Sequence, residues 1–342
     1  MFLKKTKILV IQFQYLGDAV FMTPALQLIK NFYPRAELHV LVANEITSIL
    51  KHVDYIDKLW GASRVRGKLN LLDQLPLIFQ LRKEAFDRIV DFGGNDRGAF
   101  YSFLIGSKIR LGIINKPRNI IHKICYNQKV FAPDLPLPYV YKYIYILKLW
   151  GISQNLNIPH LKIAFNKKII ASAKGKLKDK KIICHISTSQ PKKEWPLKYW
   201  LEFFKMTEKG NYSLIFTSGT SLREINLLNE LKQSNENIVV LKPTSNLELF
   251  IAIISQAECL IASDTGPLHF ASALGLKTLG LFGIHGSINQ AAPNYNEKSK
   301  ILSKSCQCIG QFEHYDVCKS NKSCMSTILP RDVFFKFNAL MK

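Results

Sequence analysis

Acidic residues are scarce in this chain of 342 residues: 25 Asp and Glu stand against 47 Lys and Arg, for a formal net charge of +22. Such a surplus raises polyanion binding, because phosphate neutralisation by Lys and Arg supplies most non-specific nucleic-acid affinity. Here the surplus is shared by both halves of the chain and forms no basic tail. That distribution argues against a nucleic-acid partner and leaves a lysine-rich solvated surface, or contact with an anionic membrane or acidic lipid. Long apolar runs are also missing. The first one is interrupted by Gln12 and Gln14, so no secretory signal is expected. The most apolar later stretch, "LELFIAIISQAECLIAS", contains Glu248, Gln256 and Glu258 and does not read as a bilayer span. A cytoplasmic protein is the expectation. Cysteines number seven, an odd count without an export signal, which speaks against a disulfide scaffold. Cys125, Cys184 and Cys259 lie in apolar contexts and read as core. No internal repeat and no low-complexity tract is present.

Hydrophobic residues make up 47% of the chain and charged residues 21%, a composition of folded protein and not of disorder. The length predicts two domains, each with its own core. "KILVIQF" reads as a buried strand, "GDAVFMTPALQLIKNFYP" as a helix and "AELHVLV" as a second strand, which together make a βαβ unit. "DRIVDFGG" and "KIRLGII" read as further strands, and "LPYVYKYIYILKLWGI" as a helix ending near Gly151. After a polar connection the alternation restarts with "KIICHIS", "YSLIFTS", "NIVVL", "ECLIAS" and "TLGLFG" as strands, with helices between them. The fold class expected is α/β, with two parallel, helix-covered sheets. Domain boundaries are set at 1–165 and 166–326, with a terminal helix over 327–342. In such folds ligands bind beyond the carboxyl ends of strands.

Those carboxyl ends carry the chemistry. The first βα junction, "IQFQYLGDAVFMTP", has the single glycine Gly17, where a dinucleotide fold or a P-loop needs three glycines or a Lys-Ser/Thr pair. It offers Asp18 instead, either an ordinary helix cap or a general base aimed into a cleft. "HISTSQPKKEWPLKYW" presents Ser187, Thr188 and Lys193, hydroxyls and an ammonium suited to a phosphate or sugar. Its alternative is a solvated loop. "IFTSGTSLREIN" presents Thr217 and, inside the next helix, Glu224, which also fits a capping box. "SDTGPLHFASALGLKTLGLFG" parses as strand end, turn, helix and strand. Gly266 allows close backbone approach, Pro267 suits the first helical position and Gly275 a left-handed helix terminus. Its unpaired amides form an anion site, with Thr265 and His269 as further donors. Capping by Asp264 or Thr265 and a satisfied histidine is the plainer reading.

Taken together, "ILVIQFQYLGDAVFMTPALQLIKNFYPRAELHVLV", "STSQPKKEWP" and "SDTGPLHFASALGLKTLGLFG" resemble the heptosyltransferase family of glycosyltransferases, family 9, in the family's order along the chain. The resemblance implies a GT-B fold of two Rossmann-like domains facing across a cleft, with the acceptor bound by the first and a nucleotide-sugar donor by the second. It implies an inverting transfer of heptose from ADP-heptose to the lipopolysaccharide inner core, with no catalytic metal and no cofactor. By motif, Asp18 matches the family's base and Lys193 its donor-phosphate lysine. Asp264, Thr265, Gly266 and His269 match the nucleotide-sugar loop, with Ser187, Thr188, Thr217 and Glu224 on the donor side as well. Gly17 and the basic cluster Arg64, Arg66 and Lys68 are expected to face the acceptor, a lipid A-type anion at the membrane surface. A peripheral position on the inner face of the inner membrane follows from that acceptor. After "LFG" this chain reads "IHGSINQAAPNY" where the family commonly continues Pro-Thr, so His285, Gly286 and Ser287 put the donor sugar in question. Cys306, Cys308, Cys318 and Cys324 are spaced C-x-C-x9-C-x5-C, which is compatible with zinc but lacks the usual C-x2-C knuckle. Reduced, packed thiols are the other reading.

Overall fold

Short apolar runs bounded by turns become strands buried on both faces, as helix-covered parallel sheets require. A computed structural model describes residues 5–14, 16–63, 71–114, 120–133, 137–152, 163–179, 181–283, 288–291, 297–304 and 324–342. The chain divides into two units, Met1–Ala164 and Phe165–Lys342.

The first unit begins with β1 (Lys7–Gln12), α1 (Leu16–Phe21), α2 (Thr23–Phe32) and β2 (Glu37–Ala43). It continues with α3 (Asn44–Leu50), β3 (Lys58–Ala62), α4 (Leu71–Lys83) and β4 (Arg88–Asp91). It closes with α5 (Asp96–Ile105), β5 (Ile109–Ile114), α6 (Ile120–Cys125), β6 (Gln128–Phe131) and α7 (Tyr139–Ile146). Its strands are parallel, in the order β3-β2-β1-β4-β5-β6. Leu9, Ile11, Leu41 and Ile89 from the sheet pack against Ile78 and Leu81 of α4 and Tyr101 and Ile105 of α5.

The single helix expected over "GDAVFMTPALQLIKNFYP" is divided at Met22 into α1 and α2. Pro24 lacks the N–H that would reach the carbonyl four residues back, Val20. The Thr23 hydroxyl donates to that Val20 oxygen at 2.7 Å. The interruption therefore costs no unsatisfied group. The helix expected to end near Gly151 does so: α7 tightens into a 3-10 turn over Leu147–Trp150, and Gly151 takes the left-handed φ of 80° that closes it.

The second unit starts with α8 (Lys167–Ala173), β7 (Ile182–His185), α9 (Leu197–Lys209), β8 (Leu214–Thr217) and α10 (Leu222–Ser234). Then come α11 (Leu247–Ile254), β9 (Cys259–Ser263), α12 (Gly266–Ala273), β10 (Lys277–Leu281), α13 (Ile288–Ala291), β11 (Ser299–Leu302) and α14 (Pro330–Met341). Its parallel order is β11-β10-β9-β7-β8. The "NIVVL" segment, expected as a full strand, contributes only a parallel bridge from Val240 to Phe216 of β8. Pro243 follows closely and cannot donate to a longer ladder. With that bridge as an edge, the second sheet follows the same winding order as the first. In α14, Val333 and Phe337 join the core formed by Trp200 and Phe203 of α9.

Equal winding gives each unit a place where successive connections leave in opposite directions. In the first it lies between β1 and β4, and in the second between β7 and β9. Doubly wound sheets bind ligands at that point, beyond the strand carboxyl ends.

Candidate functional site

In the first unit the β1–β4 point is occupied by carboxylates. Asp18, in the first turn of α1, is buried at 6% exposure. The Tyr143 hydroxyl donates to its Oδ1 at 2.9 Å and accepts from Gln12 Nε2 at 3.0 Å. Tyr143 comes from α7, and its ring stacks on Phe92 with centroids 5.0 Å apart. Burial pushes the Tyr143 phenol well above its ordinary range, aided by the Asp18 charge, so it keeps its proton and donates a hydrogen bond to Asp18 while its oxygen accepts from Gln12. Gln12 in turn accepts from the Gln14 amide, whose side chain donates to the Gly93 carbonyl. The β1 and β4 loops are thereby tied together. Gly17 is buried beside Asp18 in α1.

Asp91, the last residue of β4, is completely buried. Burial raises its carboxyl to about 6 despite hydrogen bonds from the Tyr126 hydroxyl and the Gly93 and Gly94 amides. Gly98 of α5 passes so close that a Cβ there would lie 2.2 Å from Asp91 Oδ2. Lys142 of α7 feels both Asp18 and Asp91, yet burial dominates and lowers its pKa. The expectation of a plain strand over "DRIVDFGG" does not single out Asp91. An aspartate at a strand carboxyl end, followed by two glycines, was the available signal. Tyr143 and Gln12 had none, because the contact spans 131 residues of chain.

In the second unit the β7–β9 point carries a cation, hydroxyls and a helix N-terminus. Lys193 Nζ donates to Asp264 Oδ2 at 2.6 Å, and His269 Nε2 lies 3.6 Å from Asp264 Oδ1. Burial opposes ionisation of Asp264, but His269 and Lys193 outweigh it and hold the carboxyl well below the usual range. Thr265 is the N-cap of α12, but its side chain makes no capping bond. Gly266 and Pro267 open the helix, and Gly275 closes it with a left-handed φ of 76°.

The loop bearing Lys193 is fixed from behind. Arg223 grips both oxygens of Glu194, at 2.9 and 2.8 Å, and Glu194 accepts from the Thr188 amide at 2.8 Å. The Thr188 hydroxyl donates to the Gln190 carbonyl, and buried Trp195 donates to the Ile328 carbonyl. Ser187 donates to Glu224 Oε1 at 2.9 Å and accepts from the Gly219 amide at 2.8 Å. Glu224 also completes the capping box with Ser221 at the start of α10, so both its oxygens are engaged in shaping this edge. Beneath lie three buried polar atoms with no hydrogen-bond partner: His185 Nδ1, Thr217 Oγ1 and Ser263 Oγ, at the ends of β7, β8 and β9. Burial lowers the His185 imidazole to about 4, which keeps it neutral.

Arg64, Arg66 and Lys68 lie outside the described residues, as do His285, Gly286 and Ser287 and three of the clustered cysteines, Cys306, Cys308 and Cys318. Cys324 is buried next to Met325, facing Gly283. Among the described residues, Glu37, His39 and Glu84 come within metal-ligand spacing. Their hydrogen bonds oppose that use. Trp60 Nε1 donates to His39 Nδ1, so Nε2 carries the proton and donates to Glu37 at 2.7 Å. Glu84 is held by Lys7 and Lys58.

Residues 75–321, more than half of the chain, match the model of glycosyltransferase family 9 (heptosyltransferase). The chain belongs to glycosyltransferase family 9. This glycosyltransferase is 26% identical over 340 residues to a lipopolysaccharide heptosyltransferase 1 of Campylobacter coli, covering 92% of this chain and 97% of that one. Among solved structures, a family 9 glycosyltransferase from Veillonella parvula superposes with a TM-score of 0.84 at 18% identity, over 100% of this chain and 98% of that one. An Escherichia coli heptosyltransferase solved with ADP-2-deoxy-2-fluoro heptose gives 0.72 at 15% identity, over 98% and 99%. The family 9 glycosyltransferase thus has the GT-B type of α/β fold, two Rossmann-like units. Among its described residues no helix is long and apolar enough to cross a membrane.

Proposed function

We propose that this glycosyltransferase transfers heptose from ADP-heptose to an inner-core acceptor of lipopolysaccharide, with inversion and without a metal. The observation that carries the reading is the cluster of Lys193, Asp264 and His269 at the N-terminus of α12, on the ligand-binding edge of the second sheet. Support for the donor comes from the relative solved with an ADP-heptose analogue, and for the acceptor from the lipopolysaccharide heptosyltransferase relative.

In the proposed step Asp18 takes the proton of an acceptor hydroxyl as that oxygen bonds to the anomeric carbon. The bond from that carbon to the diphosphate breaks, and its electron pair leaves with ADP. General-base catalysis supplies about 10² to 10⁴, or roughly 3 to 5.5 kcal/mol, whereas enzymes lower barriers by at least about 8 kcal/mol. Charge stabilisation and positioning supply the rest. Lys193, the α12 amides, Thr265 and His269 meet the growing negative charge of the diphosphate. Binding the donor draws the Lys193 ammonium from Asp264 toward phosphate, and Asp264 keeps His269 oriented. Ser187, Thr188, Thr217 and Glu224 shape the donor side. Gly17, Arg64, Arg66 and Lys68 are assigned to the acceptor, which reaches the protein from the cytoplasmic face of the membrane.

Incubation of purified protein with ADP-heptose and a heptose-free lipid A-Kdo acceptor should add one heptose by mass, with or without EDTA. Product only with another nucleotide sugar would keep the family and replace the donor. Loss of product on EDTA addition would overturn the metal-free step.

A further inference from the structure

One helical layer of the first unit leaves large apolar side chains facing water. Helices α4, α5 and α6 bury one side against the sheet and each other, through Ile78, Leu81, Ala99, Tyr101, Ile105 and Cys125. Their outward positions are Phe79 on α4, Phe100 and Phe103 on α5, and Ile120 and Ile124 on α6, all exposed. Spacings of three and four residues put each pair on one helix face. Of the twelve large apolar side chains exposed among the described residues, these five share one layer of three adjoining helices.

The helices adjoin. Arg82 near the end of α4 donates to the Leu104 carbonyl in α5 at 2.8 Å. Arg110 donates to the Cys125 carbonyl ending α6 and sits 5.8 Å from the Phe103 ring centroid. Exposed Lys83, Lys108 and Lys123 accompany the apolar positions, with Arg82. The acidic residues of the three helices are Asp73, in the first turn of α4, and Asp96, 3.0 Å from His122 Nε2. Aromatic and aliphatic tips beside an excess of cations match a surface that is apolar within and anionic at its boundary, which is a phospholipid bilayer. A protein partner would need no such excess, and a second copy of this chain, at +22, would bring like charge against it.

We infer that the outer face of α4, α5 and α6 is the membrane-docking surface of this enzyme, with an anionic lipid bilayer as its partner. This extends the lipid-linked acceptor reading, and its test needs neither donor nor acceptor. Phe100 and Phe103 enter the acyl boundary, and Arg82, Lys83 and Lys123 meet lipid phosphates.

Sedimentation with phosphatidylglycerol–phosphatidylcholine vesicles tests it. The wild-type protein should co-sediment with these vesicles, and much less with pure phosphatidylcholine. The double variant Phe100→Asp/Phe103→Asp should bind at least about tenfold more weakly. Lys83→Gln/Lys123→Gln, which leaves the apolar tips intact, should lose about fivefold per charge at low salt. Both variants should transfer sugar to an acyl-free, soluble acceptor at the wild-type rate. Failure of that transfer in the wild type would strike the proposed function and leave the docking result standing. Wild-type indifference to anionic vesicles, or variants that bind like wild type, would overturn the inference. So would light scattering that shows a dimer abolished by Phe100→Asp/Phe103→Asp in a protein that does not bind vesicles.

Discussion

The two units wind their sheets in one order yet equip the same topological point with opposite chemistry. Between β1 and β4 stand Asp18 and Asp91, each held by a tyrosine hydroxyl inside a buried network. Between β7 and β9 stand Lys193, a helix N-terminus and three buried polar atoms without partners. Hydrogen bonds from tyrosine hydroxyls hold and orient these carboxylates while burial favours protonation, as at Asp91, and cations beside a helix N-terminus suit an anion. Fold therefore supplies the location twice, and local residues decide the chemistry of each, which the proposed transfer assigns to its two halves.

The difference can be broken first at the acid-base end. Asp18→Asn keeps the shape and removes the base, so transfer should fall by about 10³-fold or more while ADP affinity stays within about twofold. Equal losses in both would mean that the first unit also holds the nucleotide.

Titration separates the units next. Asp91 ionises near 3.8 in an unfolded chain and near 6 when folded, so its contribution is full below about 4 and is lost as pH rises to about 6. His185 runs the other way, from 6.5 unfolded to about 4 folded, so its contribution is full above about 6.5 and is lost as pH falls to about 4. Each swing is on the order of 3 kcal/mol. Melting curves of Asp91→Asn and His185→Gln against wild type, from pH 4 to 7, should show differences that change in opposite directions.

At the anion end, Lys193→Ala should weaken ADP about 10- to 100-fold, the range for a charge-assisted hydrogen bond, as read by calorimetry. Unchanged ADP affinity would assign the lysine to holding Asp264 alone. The smallest effect is expected at Tyr143→Phe, with kcat about tenfold lower. The double variant with Asp18→Asn should be no slower than Asp18→Asn alone, because the hydroxyl acts through that carboxylate.

Much of this arrangement was legible in the sequence where it depends on neighbours in the chain. Strand carboxyl ends, the Pro267 start and Gly275 stop of α12, and the Ser221–Glu224 capping box are local patterns with local causes. Lys193 and Asp264 were each visible, but their contact across 71 residues was not. The Tyr143–Gln12–Asp18 chain and the fit of Gly98 over Asp91 depend on which helix the fold brings to a strand end. The break at Met22 needed the Thr23 hydroxyl to satisfy Val20, a bond that helical periodicity does not encode.

The central claim is a base in one unit and a diphosphate cradle in the other, serving one transfer. Its most direct measurement is the mass of lipid A-Kdo after incubation with ADP-heptose and either wild type or Asp18→Asn, with ADP binding measured on the same samples. The account predicts a heptose added by wild type, addition slower by about 10³-fold or more in the variant, and ADP affinity within about twofold. Heptose added by Asp18→Asn at the wild-type rate would contradict it.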